Sequence, residues 1–204
     1  MVENDGIRVC PIPGYGLGVI AERAFKRGDC VLRERPLIHF GKPQSSAADA
    51  PRQAFDMAEL TAIIKGLSDE DRSQLTALHD RDQKPGQAKT YIGIINTNSF
   101  GCTCGSINDG ACVCIIASRI NHSCFPNLTR YWSHSEEVMC FMATYPIQPG
   151  DQLFVSYCDS NATQAVRQKT LTRYGFQCQC RLCSLTGHAL LAHDAAAVTF
   201  EVGP

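Results

Sequence analysis

Between residues 7 and 40, apolar and polar positions alternate in short runs separated by turn residues, the pattern of β-strands with two unlike faces. Ile7-Arg8-Val9 and GVIAERAF (18–25) flank the glycine-rich Gly14-Tyr15-Gly16-Leu17-Gly18. Arg27-Gly28-Asp29 is a predicted turn, and CVLRERPLIHF (30–40) alternates in strand fashion. GKPQSSAADAPR (41–52) reads as a loop from its Pro, Ser, Gly and Ala content. The period then becomes helical. Phe55, Met57, Leu60, Ile63, Ile64 and Leu67 predict one helix with Gly66 near its end, and SDEDRSQLTALH opens a second with Ser68 and Asp71 in a capping-box-like start. After a loop over 80–90, YIGIINTNSF is apolar again. Strand patterns resume in ACVCII, LTRYW, EVMCFMATYPI and DQLFVSY, with turns at 133–136 and Pro149-Gly150. Asn161 is the predicted N-cap of a helix over ATQAVRQKTLTRY, and Gly175 sits where a C′ glycine belongs. No internal repeat is visible.

Composition narrows the classes of function. The 204 residues suffice for one domain with a core, or one domain plus a small appendage. A formal net charge of −1 gives no electrostatic case for nucleic-acid or membrane binding. No stretch reaches the ~18 apolar residues of a membrane span, and MVENDGIRVCPIPG has acids where a signal peptide is basic and then apolar. The expected setting is therefore intracellular. There, twelve cysteines are expected as thiols or metal ligands rather than disulfides.

Four stretches carry candidate chemistry. RINHSCFPN (119–127) sets an amide, an imidazole, a hydroxyl and a thiol side by side. CQCRLC offers Cys178, Cys180 and Cys183, three thiols that can share one tetrahedral Zn²⁺ if a fourth ligand comes from elsewhere, with Cys124 a candidate. Cys102, Cys104, Cys112 and Cys114 have a less usual zinc spacing, and alternate strand cysteines also arise from packing, which is the preferred reading. A Rossmann site at 14–18 is disfavoured, because Pro11 and Pro13 precede the glycines and a β-like run follows. A Cys–His hydrolase built on His122 and Cys124 is disfavoured too, since no orienting or oxyanion partner is evident.

Taken together, these stretches resemble a SET-domain protein methyltransferase. GYGLGVIAERAFKRGDCVLRERPLI is similar to the SET amino-terminal strands, RINHSCFPN to the NHxCxPN motif, PIQPGDQLFVSYCD to the "GEEL…SY" segment, and RYGFQCQCRLC to a post-SET tail. Asn98-Ser99-Phe100 points to the SET-and-MYND-like and fungal group, although no MYND finger interrupts residues 40–95. The resemblance implies an α+β, mainly β fold of β-clip type. A SET domain would span 1–157 with a helical insert at about 41–91, followed by a zinc-binding post-SET segment at 158–185 and a tail at 186–204. It implies S-adenosyl-L-methionine and Zn²⁺ as cofactors. Tyr15, Gly16, Leu17, Asn98, Asn121, His122 and Phe176 would bind the former, and Cys124, Cys178, Cys180 and Cys183 the latter. Tyr157 would stand at the methyl-transfer point, with Phe100 and Tyr174 lining a target-lysine channel. Cys114 and Gln152 depart from the family's usual aromatic and Glu. The expected substrate is a protein or peptide lysine, histone tails included, in the nucleus or cytoplasm. A small-molecule substrate and a non-catalytic interaction module are the alternatives.

Overall fold

A computed structural model describes residues 2–3, 5–41, 57–102 and 110–201. Eleven strands and five α-helices are defined in it: β1 (Val2–Glu3), β2 (Ile7–Ile12), β3 (Gly16–Ala21), β4 (Cys30–Glu34), β5 (Ile38–Gly41), α1 (Met57–Gly66), α2 (Asp69–Ala77), α3 (Tyr91–Asn98), β6 (Ser99–Cys102), β7 (Gly110–Val113), β8 (Asn121–His122), β9 (Leu128–Ser133), β10 (Val138–Ala143), β11 (Phe154–Val155), α4 (Gln164–Leu171) and α5 (Gly187–Glu201). The strands form small sheets rather than one large one. β1-β4-β10-β9 make an antiparallel sheet of four, β5-β7-β6 one of three, β2-β3 a hairpin, and β8-β11 a short parallel pair.

Strand alternation explains the main core. Leu32, Met139 and Phe141 lie on one face of the four-stranded sheet and pack with Val19, Ala21, Phe25, Ile120, Leu153 and Val155, and Val31, left over where the β4–β10 register shifts, joins the same cluster. A second core lies under the helices, where Leu60, Ile64, Leu75, Ile94 and Ile95 pack on Ile38, Phe40 and Val113 of the three-stranded sheet. Burial of each such aliphatic contributes ~1.5–3 kcal/mol. The third cluster is small and unlike the others, built from Cys124, Leu171 and Cys178 with Tyr157, Tyr174, Cys180 and Cys183 against it.

Local chemistry sets the element ends. Ser68 Oγ accepts from Asp71 N–H at 3.1 Å, as its position predicts. Gly175, with φ 78°, closes the 3₁₀ turn Thr172–Tyr174 in the left-handed conformation that glycine takes without strain. Two expectations need adjustment. CVLRERPLIHF is two strands, β4 and β5, parted at Arg35-Pro36-Leu37, because proline cannot continue the hydrogen-bonded ladder. Helix α4 is capped by Thr163 rather than Asn161, whose N–H is instead tied to Asp159 Oδ1 at 2.9 Å. YIGIINTNSF resolves into helix α3 followed by β6, and part of the tail, 187–201, is helix α5. The start of the first expected helix, with Phe55, and Cys104 lie outside the described residues.

Candidate functional site

A cavity of about 890 Å³ opens where the glycine turn, the end of α3, the segment 117–122 and the cysteine-rich segment converge. Tyr15, Gly16, Leu17, Asn98, Phe100, Asn121, His122, Tyr157, Tyr174 and Phe176 all border it. The structure thus brings together the ten predicted cofactor, channel and catalytic residues, which lie as much as 161 positions apart in sequence (176 minus 15).

The glycine turn forms one wall. Tyr15 and Leu17 are exposed, and Tyr15 meets Phe154 edge-on at 5.9 Å. Asn121 Nδ2 donates to Leu17 O at 3.1 Å, fastening the turn to β8. Gly18 is required for this approach. A Cβ there would come 2.6 Å from Ile12 Cγ1 and 2.8 Å from Asn121 Nδ2. Asn98 is buried, and its amide donates to His79 O at 2.7 Å and Ile94 O at 2.6 Å, so it shapes the wall as much as it presents a polar group.

His122 is held at both ring nitrogens. Nδ1 accepts from Tyr157 N–H at 2.9 Å, which places the proton of the neutral ring on Nε2, 3.2 Å from Cys124 Sγ. Its ring also lies 5.3 Å from Tyr157 and 5.9 Å from Phe176. Tyr157 OH donates to Ile120 O at 2.6 Å, and its ring is 4.9 Å from that of Tyr174. Burial, reinforced by Tyr174, pushes the Tyr157 phenol above the ordinary tyrosine range, so it stays neutral and can accept a hydrogen bond. Beneath the segment 117–119, the buried Glu34 carboxylate accepts from Ile116 and Ala117 N–H, both at 2.8 Å, although burial raises its pKa.

The four predicted metal ligands also converge. The sulfurs of Cys124, Cys178, Cys180 and Cys183 all lie within 4.8 Å of one another. The Cys124–Cys183 and Cys124–Cys178 separations are 3.5 and 3.9 Å. A tetrahedral ion with metal–sulfur bonds of ~2.3 Å has sulfur–sulfur edges of ~3.8 Å, so the set fits such an ion. Cys158 beside it, together with burial, pushes Cys124 up to about 12. Burial raises Cys178, and raises Cys183 to about 11 with the help of Cys124. Burial also acts on Cys180, but N–H groups including those of Cys183 and Leu182 bring it down to about 6. Without metal the cluster therefore carries about one negative charge at neutral pH, and with a divalent ion and four thiolates it would carry two.

Helix α4 supplies supports that the cysteine spacing does not reveal. Arg167 is fully buried; its Nη1 donates to Ala162 O at 2.5 Å, and Nη2 lies 3.9 Å from Cys183 Sγ. No carboxylate pairs with it among the described ion pairs, and its Nε has no partner. A buried guanidinium in this position needs a nearby anion, and a metal tetrathiolate is one. Gln168 clamps Cys178 through both backbone groups, donating to its O at 2.8 Å and accepting from its N–H at 3.1 Å. Gln164 Nε2 donates to Cys183 O at 2.6 Å. Residues 164, 167, 168 and 171 share one helix face. The signal in the sequence was Gln, Arg and Gln beside Leu171 on a face turned toward the cysteines.

Cys102, Cys112 and Cys114 are buried in the main core, as their strand alternation suggests. A second metal-capable grouping among the described residues is His122, Cys124 and Cys158, which shares Cys124 with the first.

The family model described as the SET domain matches residues 16–158. The chain belongs to the SET-domain family. It is 27% identical over 185 residues to histone-lysine N-methyltransferase set5 of Schizosaccharomyces pombe, covering 90% of this chain and 52% of that protein. It is 39% identical over 113 residues to a SET and MYND domain-containing protein of Dictyostelium discoideum, covering 53% and 28%. Mouse protein-lysine N-trimethyltransferase SMYD5 is 28% identical over 121 residues, covering 57% and 26%. This SET chain thus spans about half of set5 and about a quarter of the other two. Between β5 and β6 its described residues are the helices α1–α3 and their connections. None of its described helices is long and apolar enough to cross a membrane.

Proposed function

We propose that this SET domain is a methyltransferase that uses S-adenosylmethionine to methylate a lysine ε-amine of a protein. The observation that carries this is Tyr157. It is a neutral phenol fixed by Ile120 O and packed between His122 and Tyr174, at the meeting of the glycine turn and the cysteine-rich segment.

The cavity fits the cofactor. Gly14 and Gly16 leave open space at the turn, Gly18 admits the close approach of Asn121, and Phe176 offers an aromatic face of the kind an adenine stacks on. Tyr15, Gly16, Leu17, Asn98, Asn121, His122 and Phe176 would hold it, and Arg119, a cavity-lining cation, is available to its carboxylate. When bound, S-adenosylmethionine supplies an electrophilic methyl group on a sulfonium.

The chain's own residues do the rest. Phe100, Tyr157 and Tyr174 would enclose the acceptor lysine and exclude water. Making a lysine of pKa ~10.4 neutral at pH 7 costs about 4–5 kcal/mol, and an apolar enclosure lowers that cost by disfavouring the charged form. Tyr157 would orient the amine rather than ionise, so alignment is its main contribution. Cys124, Cys178, Cys180 and Cys183 would hold Zn²⁺ in a structural role, tying Tyr174 and Phe176 over the cavity. Residues 158–185 would then act as a post-SET wall on a SET core ending near 157, the two meeting in the cluster that joins Cys124 and Tyr157 to Leu171, Tyr174 and Cys178. The relatives' names favour a protein substrate, histones among the candidates, and the described cysteines, none of them in a disulfide, suit a nuclear or cytoplasmic setting.

Isothermal titration with S-adenosylmethionine and its demethylated product tests the cofactor site, and transfer of labelled methyl to lysine peptides tests the reaction. Binding to zinc-replete protein that is weakened in Asn121→Ala and Phe176→Ala is expected. Absence of binding to folded protein would refute the proposal in favour of an interaction module.

A further inference from the structure

The cavity has an uneven charge. Lys89, Arg119 and Arg130 border it, and no aspartate or glutamate does among the described residues. Lys89 is already committed, its Nζ donating to Thr76 O at 3.0 Å and Leu78 O at 2.7 Å at the end of α2. Arg119 adjoins Ile120 and Asn121, on the side that would take the cofactor. Arg130 is different. It projects from β9, its guanidinium lies 5.3 Å from the centre of the Phe100 ring, and it borders the cavity together with Tyr157 and Tyr174. It forms no ion pair among the described residues.

From this placement we infer that Arg130 is a specificity-determining residue that selects an acceptor lysine flanked by a carboxylate, on an acidic protein segment rather than a basic tail. The inference rests on the lysine-methyltransferase assignment above. Two effects point the same way. A guanidinium at the aromatic channel repels further cations on the substrate and attracts an anion, so a carboxylate near the acceptor gains what a second lysine loses. The same positive charge disfavours protonation of the acceptor amine as it enters, which favours the reactive form. Desolvation already lowers the pKa of Arg130, so its site favours a compensating anion.

The test uses the full chain, zinc-replete, with S-adenosylmethionine and paired peptides that carry one lysine flanked by either glutamates or lysines. Wild type is expected to prefer the glutamate-flanked peptide by roughly tenfold in kcat/KM, mostly through KM, with the preference shrinking as salt is raised. Arg130→Lys should retain the order and Arg130→Glu should invert it. Titration with the demethylated cofactor is run on each variant. Three results would overturn the proposal: wild type favouring the lysine-flanked peptide, Arg130→Glu leaving the order unchanged, or Arg130→Glu abolishing cofactor binding, which would assign the arginine to the cofactor. Failure of wild type to methylate any lysine peptide despite binding the cofactor would overturn the lysine-methyltransferase assignment itself, and the inference with it.

Discussion

Replacing Arg167 by glutamine separates a role in the metal site from a role in the fold. The arginine is fully buried, and its two hydrogen-bonding directions lead to Ala162 O and Cys183 Sγ. Removing one partner of a buried charged pair costs about 3–5 kcal/mol. In the metal-loaded protein the arginine faces a cluster of charge −2, and after stripping, with only Cys180 ionised near neutral pH, a cluster of about −1. Coulomb attraction scales with that charge. We expect Arg167→Gln to cost ~3 kcal/mol in the loaded protein and about half of that in the stripped one. For a chain of this size that is a Tm loss of roughly 6–12 °C when loaded and 3–6 °C when stripped. Metal affinity itself should fall about 10–100-fold, as for other groups that support metal ligands. Calorimetry of both proteins, with and without chelator, and competition with a chromophoric chelator read both effects. An equal Tm loss in loaded and stripped protein, with unchanged metal affinity, would show that Arg167 serves only the backbone at Ala162 and would refute the charge argument.

Other outcomes follow from single contacts. Tyr157→Phe removes the 2.6 Å bond to Ile120 O and should cost ~1 kcal/mol of stability, while kcat falls ~100-fold from misalignment of the amine; a normal kcat in a methyl-transfer assay would remove Tyr157 from the site. Gly18→Ala pushes a methyl against Asn121 and Ile12 and should weaken cofactor binding ~10-fold by titration. Asp80 gives the pH dependence. Burial works against its charge, but the N–H groups of Thr90 at 2.8 Å and Asp82 at 2.9 Å hold its folded pKa below the ordinary 3.8. Its stabilisation is therefore complete above pH 3.8 and lost as pH falls through the lower folded value. Asp80→Asn should cost ~2 kcal/mol at pH 7 in denaturant titrations, and the difference should narrow on acidification below pH 3.8.

Much of the site was legible because its residues sit in local motifs. The glycine turn, NHSC and CQCRLC each show their chemistry within a few positions, and strand alternation and the caps at Ser68 and Gly175 locate the elements between them. The supports were not legible for a physical reason. Arg167 lies in a helix that is mostly polar in composition, where an arginine is ordinarily solvated, and only tertiary packing removes it from water. Arg130 shares a face of β9 with Leu128 and Trp132, and its charge acquires a meaning only when Phe100 from another sheet arrives beside it. The N-cap of α4 was misplaced because Asn161 and Thr163 are both able to cap, and the Asp159 turn decides between them.

Once loaded with metal, the cysteine cluster would also act as a clasp in the topology of the chain. Cys124 is 54 residues ahead of Cys178, so a bound metal closes a loop of that span, and a crosslink of this size lowers the entropy of the unfolded chain by the equivalent of ~4 kcal/mol. Tyr174 and Phe176 lie immediately before the closing cysteine, outside the two large cores. Opening the clasp would release these two rings while leaving the sheets intact. Metal supply would then govern both the stability of the chain and how much of it presents these two rings to a cofactor.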